Sequence, residues 1–181
     1  RQQKTLELIG RHHSYQDIEA AVARSRDQFS TLNMDLILGL PGEGLAEMQA
    51  SVEWVQNLRP ENITLHMFSP KRASRFTGEQ NDWQEMLPSA ELATHMVEAT
   101  SESLRQAGYD PYYLYRQRNI LGGQENVGWT LPGHACRYNT LMISERQHIL
   151  GLGGGAVSKF INNDGTLVSQ TNARDVRVYI K

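Results

Sequence analysis

NMDLILGLPGEG, Asn33 to Gly44, reads as a buried strand running straight into a glycine-proline turn. Apart from Asp35, residues 34–40 are apolar or glycine, the near-continuous run expected of a parallel strand buried on both faces. On either side the spacing turns helical. Ser14, with Asp17 three residues on, predicts a capped helix that places Ile18, Ala21 and Val22 on one face. A second helix is predicted from about Leu45 to Leu58, ended by Pro60, and Asn62–Phe68 then alternates as a strand. Helix, strand, helix, strand is the alternation of an α/β sheet or barrel.

Outward from this segment, residues 3–10 form a short helical pattern stopped by Gly10. A pattern starting so close to Arg1, without an initiator methionine, points to the C-terminal part of something longer. Residues 71–88 lose all periodicity and read as a long loop. Ser89 then caps a helix reaching about Ala107, with Gly108 after it. Beyond it the texture changes: Tyr112–Tyr115 is short and aromatic, and residues 116–133 form a polar, glycine-containing connection. Arg137–Ile143 and His148–Leu152 are expected to pair as a β-hairpin. Ala156–Ile161 and Thr166–Gln170 are strands joined at Asp164-Gly165, and about Ala173–Ile180 closes as a helix. Two parts result, an α/β portion over residues 1–107 and a small, mainly β unit over 108–181.

With 181 residues, 39% of them hydrophobic, the chain has enough apolar surface for one good core. A net charge of -2 leaves no footprint for nucleic acid or an anionic membrane surface. No apolar run approaches the roughly 18 residues of a membrane span. The single cysteine, Cys136, excludes an internal disulfide framework and a cysteine-ligated cluster built from this chain alone; it agrees with a cytoplasmic location.

Several stretches suggest chemistry, each beside a plainer reading. GLGGGA (Gly151–Ala156) formally matches the dinucleotide fingerprint, but a β-like stretch follows it where that motif requires a helix. Close backbone approach is the plainer reading. GLPGEG lacks the lysine of a P-loop, and no G-x-S-x-G elbow is present. The six histidines show no zinc-ligand spacing. Asp35 is either a structural carboxylate, paired for instance with Arg11, or a group shown to a ligand. PYYLYRQRN (Pro111–Asn119) is either an amphipathic edge strand or an aromatic platform with Arg116 and Arg118 for carboxylates.

Taken in order, LELIGRHHS, NMDLILGLPGE, LRPENITLH, LPGHACRYN and ILGLGGGAVSKF resemble the C-terminal half of radical S-adenosylmethionine (SAM) enzymes related to oxygen-independent coproporphyrinogen III oxidase. KRAS, YYLYRQRN and ENVGW resemble its coproporphyrinogen dehydrogenase branch. The resemblance implies an α/β fold, the C-terminal part of a partial (β/α)6 TIM-like barrel followed by a small mixed α+β domain that covers the site. Asn33–Leu40 and Asn62–Phe68 would be the fifth and sixth barrel strands. Position by position it implies that Arg11, Asp35, Ser69 and Val157 line the SAM pocket.

The resemblance also implies SAM and a [4Fe-4S] cluster in the full-length parent, a porphyrinogen substrate and an external electron donor. This chain lacks the three cysteines that hold the cluster, so it is expected to bind no metal and to carry neither cofactor by itself. Arg116, Arg118 and Arg137 are candidates for holding propionates. The alternative within the family is a heme carrier, with His66 and His134 as axial ligands.

Overall fold

Local signals set the helix ends in the computed structural model, which describes residues 2–69, 84–116 and 120–180. The KRAS stretch, most of the expected 71–88 loop and Arg118 lie outside the described residues. Helix α1 (Gln3–Leu8) closes on Gly10, at a φ of +72°. The Gly10 and Arg11 amides return to the carbonyls of Glu7 and Leu6, a closed turn that fixes where the Arg11 side chain leaves the backbone. In α2 (Tyr15–Arg26) the Asp17 carboxylate accepts the Ser14 N–H at 2.8 Å while Ser14 Oγ accepts the Asp17 N–H. Helix α3 (Leu45–Leu58) begins where Glu47 accepts the Gly44 N–H, and α4 (Ala90–Gln106) begins under the Ser89 cap.

Strands β1 (Asn33–Leu38), β2 (Asn62–Met67), β3 (Asp110–Tyr115) and β4 (Asn126–Thr130) make one sheet in the order β1-β2-β4-β3. β1 and β2 run parallel, with Asp35 opposite Thr64 and Ile37 opposite His66; the other two pairings are antiparallel. One face is apolar. Leu36, Leu38, Ile63, Leu65, Met67 and Trp129 pack there against Met48, Val52, Trp54 and Val55 of α3 and Ala93, Met96 and Leu104 of α4. The opposite face carries Asn33, Asp35, Thr64 and His66, joined by side-chain contacts to one another and to the tyrosines of β3. β1 is therefore not buried on both faces as its sequence suggests. Its burial alternates, because its polar residues occupy every second position until Ile37.

The chain divides into two compact units, Arg1–Ala135 and Cys136–Lys181, later than the 107/108 division expected from sequence. The reason is that β3 and β4 complete the sheet begun by β1 and β2. β4 itself lies inside the stretch expected to be a connection; its Gly128 and Asn126 dilute the strand signal. In the second unit Arg137–Ser144 is a helix, α5, where a hairpin strand was expected, and of His148–Leu152 only Ile149 bridges to a strand, at Lys159. Leu141 and Met142 fall on the half-buried side of α5 with Asn139, a helical spacing that so short an apolar run does not separate from a strand's. β5 (Val157–Ile161) and β6 (Leu167–Thr171) pair as expected around Asp164-Gly165. The last helix is shorter than its sequence pattern, α6 (Val176–Tyr179), capped by Asp175.

Candidate functional site

Three of the four residues implied as SAM neighbours, Arg11, Asp35 and Ser69, line one cleft of about 760 Å³ in the first unit, together with His13, Glu43 and His66. The elements that deliver them differ. Arg11 follows the closing turn of α1, Asp35 rises from β1, and Ser69 sits two residues beyond the end of β2. Val157 opens β5 in the second unit and is 44% exposed.

Asp35 is the best-held group in the cleft. Its Oδ1 accepts from Asn33 Nδ2 at 2.8 Å and lies 3.7 Å from His66 Nε2. The His66 ring holds this carboxyl below the usual range against the cost of burial, with Asn33 and Thr64 assisting. Arg11 is not its partner, so the salt bridge that sequence allowed is replaced by the histidine. The acid side of this arrangement is testable. Because the folded carboxyl is depressed, its stabilising contribution is complete above the unfolded range near pH 4 and disappears as pH falls through the lower folded value. The thermal midpoints of wild type and Asp35→Asn, compared over pH 2 to 6, should therefore converge at the acid end.

Elsewhere in the cleft, burial pushes the Glu43 carboxyl up, only partly offset by a hydrogen bond from Thr5 and reinforced by the neighbouring Glu47 charge. On the polar face of the sheet, Tyr113 Oη lies 3.2 Å from Thr64 Oγ1 and Tyr115 Oη lies 3.1 Å from His66 Nδ1. Burial raises the Tyr113 phenol, which stays protonated near neutrality. Both tyrosines reach across β4 to touch β2. Tyr113 can do so because Gly128 has no side chain: a Cβ there would stand 1.8 Å from the ring.

This polar ladder is the part that sequence reasoning missed. The signal was present, since Asn33 and Asp35 in one strand and Thr64 and His66 in the other recur at period two. Of the residues proposed for propionates, Arg116 follows β3 and pairs with Glu125 at 3.5 Å, and Arg137 is the exposed first residue of α5. His134 Nδ1 lies 3.0 Å from Thr31 Oγ1. The GLGGGA loop is tied to its own unit: Asn172 Nδ2 donates to the Gly151 and Gly153 carbonyls, and the Gly153 N–H donates to Tyr179 Oη. A Cβ at Gly151 would meet the Val157 backbone at 2.6 Å, so close backbone approach is what Gly151 serves.

The donor set suits one implied cofactor and not the other. An exposed guanidinium and a carboxylate held ionised on one cleft suit the charged amino-acid end and the hydroxyls of SAM. A [4Fe-4S] cluster requires thiolates, and the chain has one cysteine. Among the described residues no group of three or more His, Cys, Asp or Glu could hold a metal ion, and no helix is long and apolar enough to cross a membrane.

No protein-family model matches the chain. It is 42% identical over 178 residues to the oxygen-independent coproporphyrinogen-III oxidase-like protein HemZ of Bacillus subtilis, covering 97% of this chain and 35% of that protein. It is 28% identical over 158 residues to the heme chaperone HemW of Synechocystis sp., covering 87% of this chain and 35% of that one. The chain thus spans about a third of the length of these curated relatives. Among solved structures, the coproporphyrinogen III oxidase HemN from Escherichia coli, a radical SAM enzyme, shares the fold at a TM-score of 0.68 and 17% identity, over 97% of this chain and 39% of its own. By its motifs, its sheet and these likenesses, the chain belongs to the oxygen-independent coproporphyrinogen III oxidase family of radical SAM proteins, as a C-terminal portion of it.

Proposed function

We propose that the complete protein is a radical SAM oxidoreductase that decarboxylates the propionate side chains of a porphyrinogen, coproporphyrinogen III in the simplest case. The observation that carries this reading is the shared cleft of Arg11, Asp35 and Ser69, whose charges complement SAM. In that role Arg11 binds the carboxylate of SAM, Asp35 accepts from its ammonium or ribose hydroxyls, and Ser69 packs beside it. SAM, when bound, supplies the carbon radical that abstracts hydrogen from the substrate. Arg116, Arg118 and Arg137 would hold propionates by paired hydrogen bonds, which at Arg116 requires exchange of the Glu125 partner. An external donor would supply the electron, and the reaction would take place in the cytoplasm.

A heme carrier is the second reading, favoured by the likeness to HemW chaperones, four of which match over most of the chain. His66 is less suited to iron than its sequence position suggests, since both ring nitrogens already face partners, Tyr115 and Asp35. Incubation of the reconstituted full-length protein with SAM, a reductant and coproporphyrinogen III, without oxygen, separates the two. The oxidase reading expects 5′-deoxyadenosine and vinyl-bearing products. Stoichiometric heme binding with no vinyl product would replace it with the carrier reading.

A further inference from the structure

The contact between His66 and Asp35 is asymmetric in a way that assigns each side chain a task. The Asp35 side chain is 61% exposed on the cleft, whereas that of His66 is only 24% exposed. The imidazole is held from behind, with Nδ1 3.1 Å from the Tyr115 hydroxyl and the two rings edge to face, centroids 6.2 Å apart. Tyr115 lies nearly parallel to Tyr113, and Tyr113 is in turn seated over Gly128 and against Thr64. Orientation therefore passes inward from β3, over β4, to the histidine on β2.

An aspartate on an open cleft rotates broadly about its terminal torsion. Here two groups approach the same oxygen, Oδ1: Asn33 Nδ2 at 2.8 Å and His66 Nε2 at 3.7 Å. Contacts on one oxygen fix the plane of the carboxylate and so the direction in which it meets a ligand. We propose that His66 is a positioning residue: held at Nδ1 by Tyr115, it aims Nε2 at Asp35 and sets the carboxylate for the molecule bound in the cleft. The proposal deepens the reading given above, in which that molecule is SAM, and rests on it.

The test is SAM affinity by equilibrium dialysis on the full-length protein, for Asp35→Asn, His66→Leu, His66→Gln and Tyr115→Phe, with the thermal midpoint of each. His66→Leu should weaken binding about tenfold and Tyr115→Phe about threefold. His66→Gln keeps a donor that can reach Asp35 and should stay within about twofold of wild type. In turnover, His66→Leu should raise the KM for SAM while kcat changes little. A purely packing role would not produce rescue by glutamine at an unchanged midpoint. Wild-type affinity for His66→Leu, with Asp35→Asn weakened, overturns the positioning role and leaves the SAM reading standing. Equal weakening by leucine and glutamine also overturns it. Wild-type affinity for Asp35→Asn overturns both. Should His66→Leu not fold, Tyr115→Phe decides alone, and wild-type affinity there counts against the proposal.

Discussion

Trp129→Ala is expected to destabilise the first unit by about 4 kcal/mol, the usual cost of removing a fully buried indole. Trp129 is only 2% exposed and sits where β4 meets the helices, in one cluster with Trp54, Val55, Ile63, Leu65, Leu104 and Tyr109. The Arg105 guanidinium lies over its ring at 5.4 Å, so part of the loss comes from a cation–π contact near the end of α4. In a chain of this size the thermal midpoint should fall by roughly ten degrees. Trp129→Phe should retain more than half of the stability lost in the alanine variant, since its indole N–H makes no hydrogen bond. Calorimetric melting of the two variants beside wild type checks the prediction, and equal losses would refute it.

Gly128→Ala should disturb the polar face more than its size suggests. The added methyl would stand 1.8 Å from Tyr113 Cε1 and 2.3 Å from Cδ1, so the ring has to leave its place. The backbone at Gly128 carries no positive φ, so the effect is steric alone. Overpacking of this kind costs about 1–3 kcal/mol. The larger consequence is local: Tyr113 loses Thr64, and Tyr115 loses the ring beside it. The prediction is a clear fall in SAM affinity of the full-length protein, alongside a modest fall in midpoint. Combined with Tyr113→Ala, the glycine substitution should add almost nothing further, because the group it collides with is gone; the double-mutant cycle measures this coupling.

The sequence carried several helix ends because each is written in a few adjacent residues: Ser14 with Asp17, Ser89, and the glycines at 10 and 108. It carried the β1 and β2 strands as an apolar run and an alternating one flanking a helix. It did not carry β4. A strand built around Gly128 has a meaning only with Tyr113 across from it, and that pairing is invisible until the sheet is assembled. The 137–144 run illustrates the opposite limit, where the local pattern fits two periods and burial decides. At the site, the family likeness selected Arg11, Asp35 and Ser69, and the fold placed them on one cleft. The partner of Asp35 came only from the register, which sets Thr64 opposite Asp35 and His66 one pleat further along.

β2 is the strand on which assembly of this sheet depends in time. Its neighbour on one side, β1, precedes it, but on the other side it waits for β4, which is made only after α4 and β3. A ribosome must therefore reach Thr130 before Asn62, Ile63 and Leu65 all have both neighbours in place. Closing so long a loop is slow compared with forming any of the helices. The nascent chain thus carries an apolar, half-paired strand from the making of β2 until that of β4, the period in which it is most exposed to wrong partners.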